Sequence, residues 1–93
     1  MELSQSGYRY TITLKENCKM SECINFRSLY EQVPSNASLT LDFRSVEDID
    51  SSCIIMLMSL YQYFEDSEQI QIINCNAKIS DVFSNTYISS WLH

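Results

Sequence analysis

With 93 residues, 45% apolar side chains, one glycine and one proline, the chain has material for one folded domain over 1–93 and almost none for a linker. Its formal net charge of -6 argues against binding to nucleic acid or to an anionic membrane surface. The few cations (Arg9, Lys15, Lys19, Arg27, Arg44 and Lys78) are scattered, so a protein partner is the expectation that remains.

No apolar run approaches the ~20 residues that span a bilayer, so no direct membrane insertion is expected. Residues 1–6 lack the basic and apolar regions of a secretion signal, which points to the cytoplasm. Cys18, Cys23, Cys53 and Cys75 form no CxxC pair and the single histidine is His93. No metal site and no cofactor are therefore expected, and the thiols are expected to be reduced and mostly buried. With no internal histidine, no Ser-His-Asp set and no glycine-rich phosphate loop, no catalytic residues are assigned: the chain reads as a non-enzyme.

In chain order, residues 8–14 alternate, with Tyr8, Tyr10, Ile12 and Leu14 on one face of a strand. Residues 15–20 read as a turn, or as a turn followed by a very short strand. Ser21 is the expected cap of a helix over 22–32, whose Cys23, Phe26, Leu29, Tyr30 and Val33 recur at spacings of three and four. Pro34 stops it. Leu39, Leu41 and Phe43 then alternate in a second strand, and an acidic stretch follows with Asp42, Glu47, Asp48 and Asp50.

Ile54, Leu57, Met58 and Tyr61 mark the inner face of a helix over 54–64, with Ile55 and Met56 on its other side near Ser51. Asp66 and Ser67 break this helix. A strand over 69–74 carries Ile70 and Ile72 on one face, and Asn76 caps a last helix over 76–84 with Ile79, Val82 and Phe83 facing in. The end, 87–93, reads as a short strand or as an apolar tail packed on the domain. Strands alternating with helices over short connections imply an α/β fold: a central mixed sheet of about four to five strands with helices packed against it.

One segment is more specific: Leu39-Thr40-Leu41-Asp42-Phe43-Arg44-Ser45-Val46-Glu47-Asp48-Ile49-Asp50-Ser51-Ser52-Cys53. An apolar strand reaching an acidic loop, then Asp-Ser-Ser and an apolar helix, resembles the signature half of the STAS family, the anti-sigma-factor-antagonist domains. The strand near Ile70, the helix near Ala77 and the Trp91-Leu92 end extend the likeness to a full STAS-like fold. Two positions depart from it. Cys53 stands where the family has Gly, and Ile55 where it has a small residue; the Gly before the strand at Ile70 is also missing.

The resemblance implies a bacterial partner-switching regulator, with a serine kinase or anti-sigma-like regulator as partner and a metal-dependent serine phosphatase to reset it. Control of transcription, biofilm or surface polysaccharide would be its output. The acceptor position falls on Ser51, and the partner surface on Asp48, Asp50, Ser51, Ser52, Cys53, Ile55 and Met56. Ser51 is expected to cap the helix that follows it, and the protein to be a monomer when free. The alternative implied by the resemblance is a STAS-type accessory subunit that docks on the ATPase of a lipid-transporting ABC system without phosphorylation. For Cys53, a small packing residue is favoured over a reactive thiol.

Overall fold

The computed structural model describes residues 2–14, 17–18, 23–64 and 66–92. Strands β1 (Glu2–Ser6), β2 (Arg9–Thr13), β4 (Ser38–Asp42) and β6 (Ile70–Ile73) form one sheet in the order β1-β2-β4-β6. The β1–β2 pair is antiparallel, while β2–β4 and β4–β6 are parallel, so the sheet is mixed. Parallel neighbours need crossovers, which helix α1 (Cys23–Tyr30) supplies before β4. Helices α2 (Ser51–Met58) and α3 (Leu60–Tyr63) do the same before β6. Two residues of β3 (Asn17–Cys18) pair in parallel with β5 (Asp48–Ile49) as a separate small ladder. Helix α4 (Ala77–Ser84) and a 3₁₀ segment (Tyr87–Trp91) close the chain. This is the α/β architecture that the sequence implies.

The inner face of the sheet follows the alternation. Ile12, Leu14, Leu39, Leu41, Phe43, Ile70 and Ile72 are buried there. The helices bring Phe26 and Tyr30, Leu57 and Leu60, Ile79 and Phe83 against them. On the opposite face Ser4, Thr11, Thr40 and Gln71 lie in one cross-strand row. There the Gln71 amide donates to Thr40 Oγ1 at 2.9 Å, which satisfies a buried hydroxyl.

Several expectations are corrected. Strand β1 was not foreseen; it forms a hairpin with β2 across Gly7, whose φ of +61° is a turn conformation that glycine adopts without steric cost. Tyr8, placed on the inner face, lies in that turn and is 90% exposed. Val82 is 38% exposed, because the narrow buried stripe of α4 is filled by Ile79 and Phe83 at i, i+4. The segment after 87 is a 3₁₀ turn that buries Ile88 and Trp91, followed by a single parallel bridge from Leu92 to Ile72. The expected cap Ser21, and the inward placements of Cys23 and Tyr61, fall outside the described residues and side chains.

Leu41 is fully buried in the strand flanked on both sides, so Leu41→Ala should lower unfolding free energy by about 2–5 kcal/mol in urea denaturation, with the m-value unchanged.

Candidate functional site

The site is built at the C-terminal end of β4. Beyond Asp42 the chain is pinned twice to the core. Phe43 is buried against Phe83, with ring centroids 5.5 Å apart in an edge-to-face arrangement, and Val46 is buried after a turn closed by its N–H to the Phe43 carbonyl. The chain then surfaces through Glu47 and β5 and enters α2.

Three of the four acids in this stretch have a defined structural partner. Asp42 Oδ1 accepts from the Arg44 N–H at 2.9 Å and from Asn74 Nδ2 at 3.0 Å. Asp48 Oδ1 lies 3.1 Å from Lys78 Nζ and accepts from the Ile49 N–H at 2.9 Å. The hydrogen bond from Lys78, then that from Ile49, then the Lys78 charge hold the Asp48 carboxyl below its ordinary range. Asp50 Oδ1 accepts from the Cys53 N–H at 3.2 Å and has extended backbone angles, so it is the N-cap of α2. Glu47 is exposed, and among the described residues its carbonyl is engaged by Asn76 Nδ2 at 3.1 Å. Among the described residues no group of carboxylates, thiols or imidazoles converges as a metal site.

Asn76 does two jobs that sequence alone separates poorly. Its Oδ1 caps α4 by accepting from the Ile79 N–H at 2.9 Å, as expected. Its amide reaches the Glu47 carbonyl and so ties the start of α4 to the acidic loop. With Lys78 in the first turn of the same helix, α4 braces the loop from below. Asn76 was legible only as a cap, and Asn74 and Lys78 gave no sequence signal, because their partners lie about thirty positions away.

The proposed cap role of Ser51 is thus corrected. Asp50, one position earlier, takes the capping bond because a carboxylate accepts more strongly than a hydroxyl at the positive end of a helix. Ser51 becomes the first helical residue, exposed, with its Oγ making no hydrogen bond to a described residue. Ser52 is half-buried and Ile55, one turn on from Ser51, is 67% exposed.

Burial revises further placements on α2. Cys53 is fully buried and Met56 is 5% exposed, so both belong to the core and neither presents a side chain to a partner. Met58, assigned to the core, is instead 37% exposed and lies on the Ser51–Ile55 face, while Ile54 is only half-buried. The outward face of α2 therefore reads Ser51, Ile55, Met58, an apolar stripe headed by a hydroxyl and flanked by Asp48 and Asp50.

The chain matches, over residues 1–88, the family model described as the Mlab, STAS domain. It belongs to the STAS domain family. No curated protein matches it significantly. Within this STAS domain the Cys53 side chain is fully buried and occupies core volume at the first turn of α2. No helix among the described residues is long and apolar enough to cross a membrane.

Two measurements check these assignments. Asp50→Ala should cost about 1 kcal/mol of stability by loss of the cap, whereas Ser51→Ala should stay within about 0.5 kcal/mol of wild type. Because Asp48 has a folded-state pKa below its unfolded value, its contribution is full above the ordinary carboxylate range and is lost as pH falls through the folded value. In Lys78→Gln an NMR titration should show the Asp48 carboxyl moving back up, with acid sensitivity of stability reduced.

Proposed function

We propose that this STAS domain is the switched component of a partner-switching pathway, docking on a protein partner through the outward face of α2 and released by phosphorylation of Ser51. The observation that carries this is the division of labour between neighbours. Asp50 caps the helix, which leaves the Ser51 hydroxyl exposed at the head of the Ile55–Met58 stripe. A cognate serine kinase would be the writer, a metal-dependent serine phosphatase the eraser, and the chain itself a substrate and binder.

The electrostatics fit a reversible surface change. A phosphate would add a charge of about -1.5 to -2 on the first residue of α2, where the helix dipole favours an anion by roughly 0.3–1 kcal/mol. The fold tolerates it. A partner that covers Ile55 and Met58 would have to desolvate that charge beside Asp48 and Asp50, which is costly. Phosphorylation is then felt at the interface and little inside the domain.

A second role uses the same apolar stripe without phosphate: an accessory subunit docked on the ATPase of a lipid-transporting ABC system. It is favoured by the Mlab name in the family description and by the exposure of Ile55 and Met58 in the unmodified chain.

Intact mass of protein from its native host, together with pull-downs using wild type, Ser51→Ala, Ser51→Asp and Ile55→Asp, separates the two. Switching predicts a one-phosphate mass gain abolished by Ser51→Ala. It also predicts a kinase-like partner kept by Ser51→Ala and weakened at least about tenfold by Ser51→Asp. Absence of phosphate, with one ATPase retained equally by wild type and both Ser51 variants, would replace it by the docking role. Ile55→Asp should lose the partner in either case.

A further inference from the structure

Strand β1 is the outermost strand of the main sheet: it pairs with β2 on one side, and no described strand lies on its other. The opposite edge, at β6, is partly closed by the bridge between Ile72 and Leu92. Exposed edges are usually guarded by Lys, Pro, an inward charge or a bulge. Here the edge reads Glu2-Leu3-Ser4-Gln5-Ser6 and pairs with β2 residue for residue, without a bulge. It is a regular, unguarded template.

We propose that this edge pairs with the same strand of a second copy of the chain, antiparallel about a two-fold axis at Ser4, joining the two sheets into one. The occupant and the register are argued from charge. With Ser4 opposite Ser4 of the second copy, Leu3 faces its Gln5 and Glu2 faces its Ser6. Within each protomer Ser6 lies directly across from Arg9. Glu2 of one copy, Ser6 of the other and Arg9 of the other therefore share one row and one face of the joined sheet.

The Glu2 and Arg9 backbones stand two strand spacings apart, about 10 Å, over a serine too small to separate their side chains. An extended Glu and an extended Arg close that gap, and the two-fold axis makes the pair twice. Inside a single chain these residues cannot meet: Glu2 is opposite Thr13, at the far end of the hairpin from Arg9. Among the described residues neither forms an ion pair. A slip by two residues would set Glu2 against Ser4 and carry Arg9 past the end of the facing strand. No like charges oppose each other in the symmetric register.

A strand of five residues covers far less than the roughly 1,200 Å² of a standard interface, so the association is weak, with a dissociation constant on the order of 0.1–1 mM. The two-fold closes it at a dimer. The monomer expected from the sequence is then the dilute form, and the dimer appears on concentration. The α2 face lies on other elements and is not used.

Sedimentation equilibrium of the full chain from about 20 μM to about 1 mM should show a monomer–dimer equilibrium, with amide NMR shifts changing with concentration at residues 2–6 and 9. Glu2→Arg alone and Arg9→Glu alone should each weaken dimerisation about tenfold, because each places like charges in both pairs. An equimolar mixture of the two variants should recover it, since every pair in the mixed dimer is again opposite in sign. A wild type that stays monomeric at the highest concentration, single variants that associate as well as wild type, or a mixture that fails to recover would each overturn the proposal.

Discussion

Strand β4 is held from both sides at the point where it ends. The Asp42 carbonyl accepts from the Leu14 N–H at 3.1 Å, the Phe43 N–H donates to the Ile73 carbonyl at 3.0 Å, and the Asp42 carboxylate takes the Arg44 and Asn74 donors. A strand flanked by two parallel neighbours and buried on its apolar face cannot slide by one residue without exposing Leu39, Leu41 and Phe43 together. The position of its last residue is therefore tightly fixed. Whatever follows inherits that precision: Phe43 and Val46 anchor the loop, β5 orients Asp48, and Asp50 starts α2 with Ser51 facing solvent.

This arrangement separates the demands on neighbouring residues. Stability is assigned to Asp50, Cys53, Met56 and Leu57, which cap the helix or fill the core. Ser51, Ile55 and Met58 do neither and are exposed together on the outward face. A hydroxyl that also capped the helix would couple modification to unfolding of the first turn. Because a carboxylate caps in its place, the Ser51 side chain takes no part in holding that turn. The acids around it are likewise committed. Asp48 is neutralised in part by Lys78, so the loop carries less net negative charge than its composition suggests. A cation on the braced helix thus tempers the field in which a phosphate would appear.

How much of this was legible in the sequence follows from how much information each pattern holds. Leu39, Leu41 and Phe43 alternate cleanly, and β4 came out nearly residue for residue. Asn76 with Ile79 and Phe83 marked α4 because a cap and two apolar residues at i, i+4 fix both start and phase. The segment after Ser51 held no such phase. Nearly every position from 53 to 58 is apolar, so any face of it looks like a core face, and the periodicity was read from Ile54 in a helix that in fact begins at Ser51 and is interrupted at Ser59. With no polar position to set the phase, the stripe 54, 57, 58, 61 fits as well as the observed 53, 56, 57, 60, and the one-residue difference exchanges Met56 and Met58 between faces. Strand β1 was hidden for the opposite reason: only Leu3 is apolar among its five residues, and its extended form comes from pairing with β2.

The same contrast separates Cys53 from Ile55. A glycine at position 53 would leave the first turn of α2 without a fully buried side chain. Here the thiol is completely enclosed, so it adds to the core beneath the site and leaves the outward face to other residues. Ile55 behaves differently, because its side chain points out and adds to the exposed apolar area of α2 one turn from Ser51. Cys53 is thus absorbed by the fold, whereas Ile55 stands in solvent on the same face of α2 as Ser51.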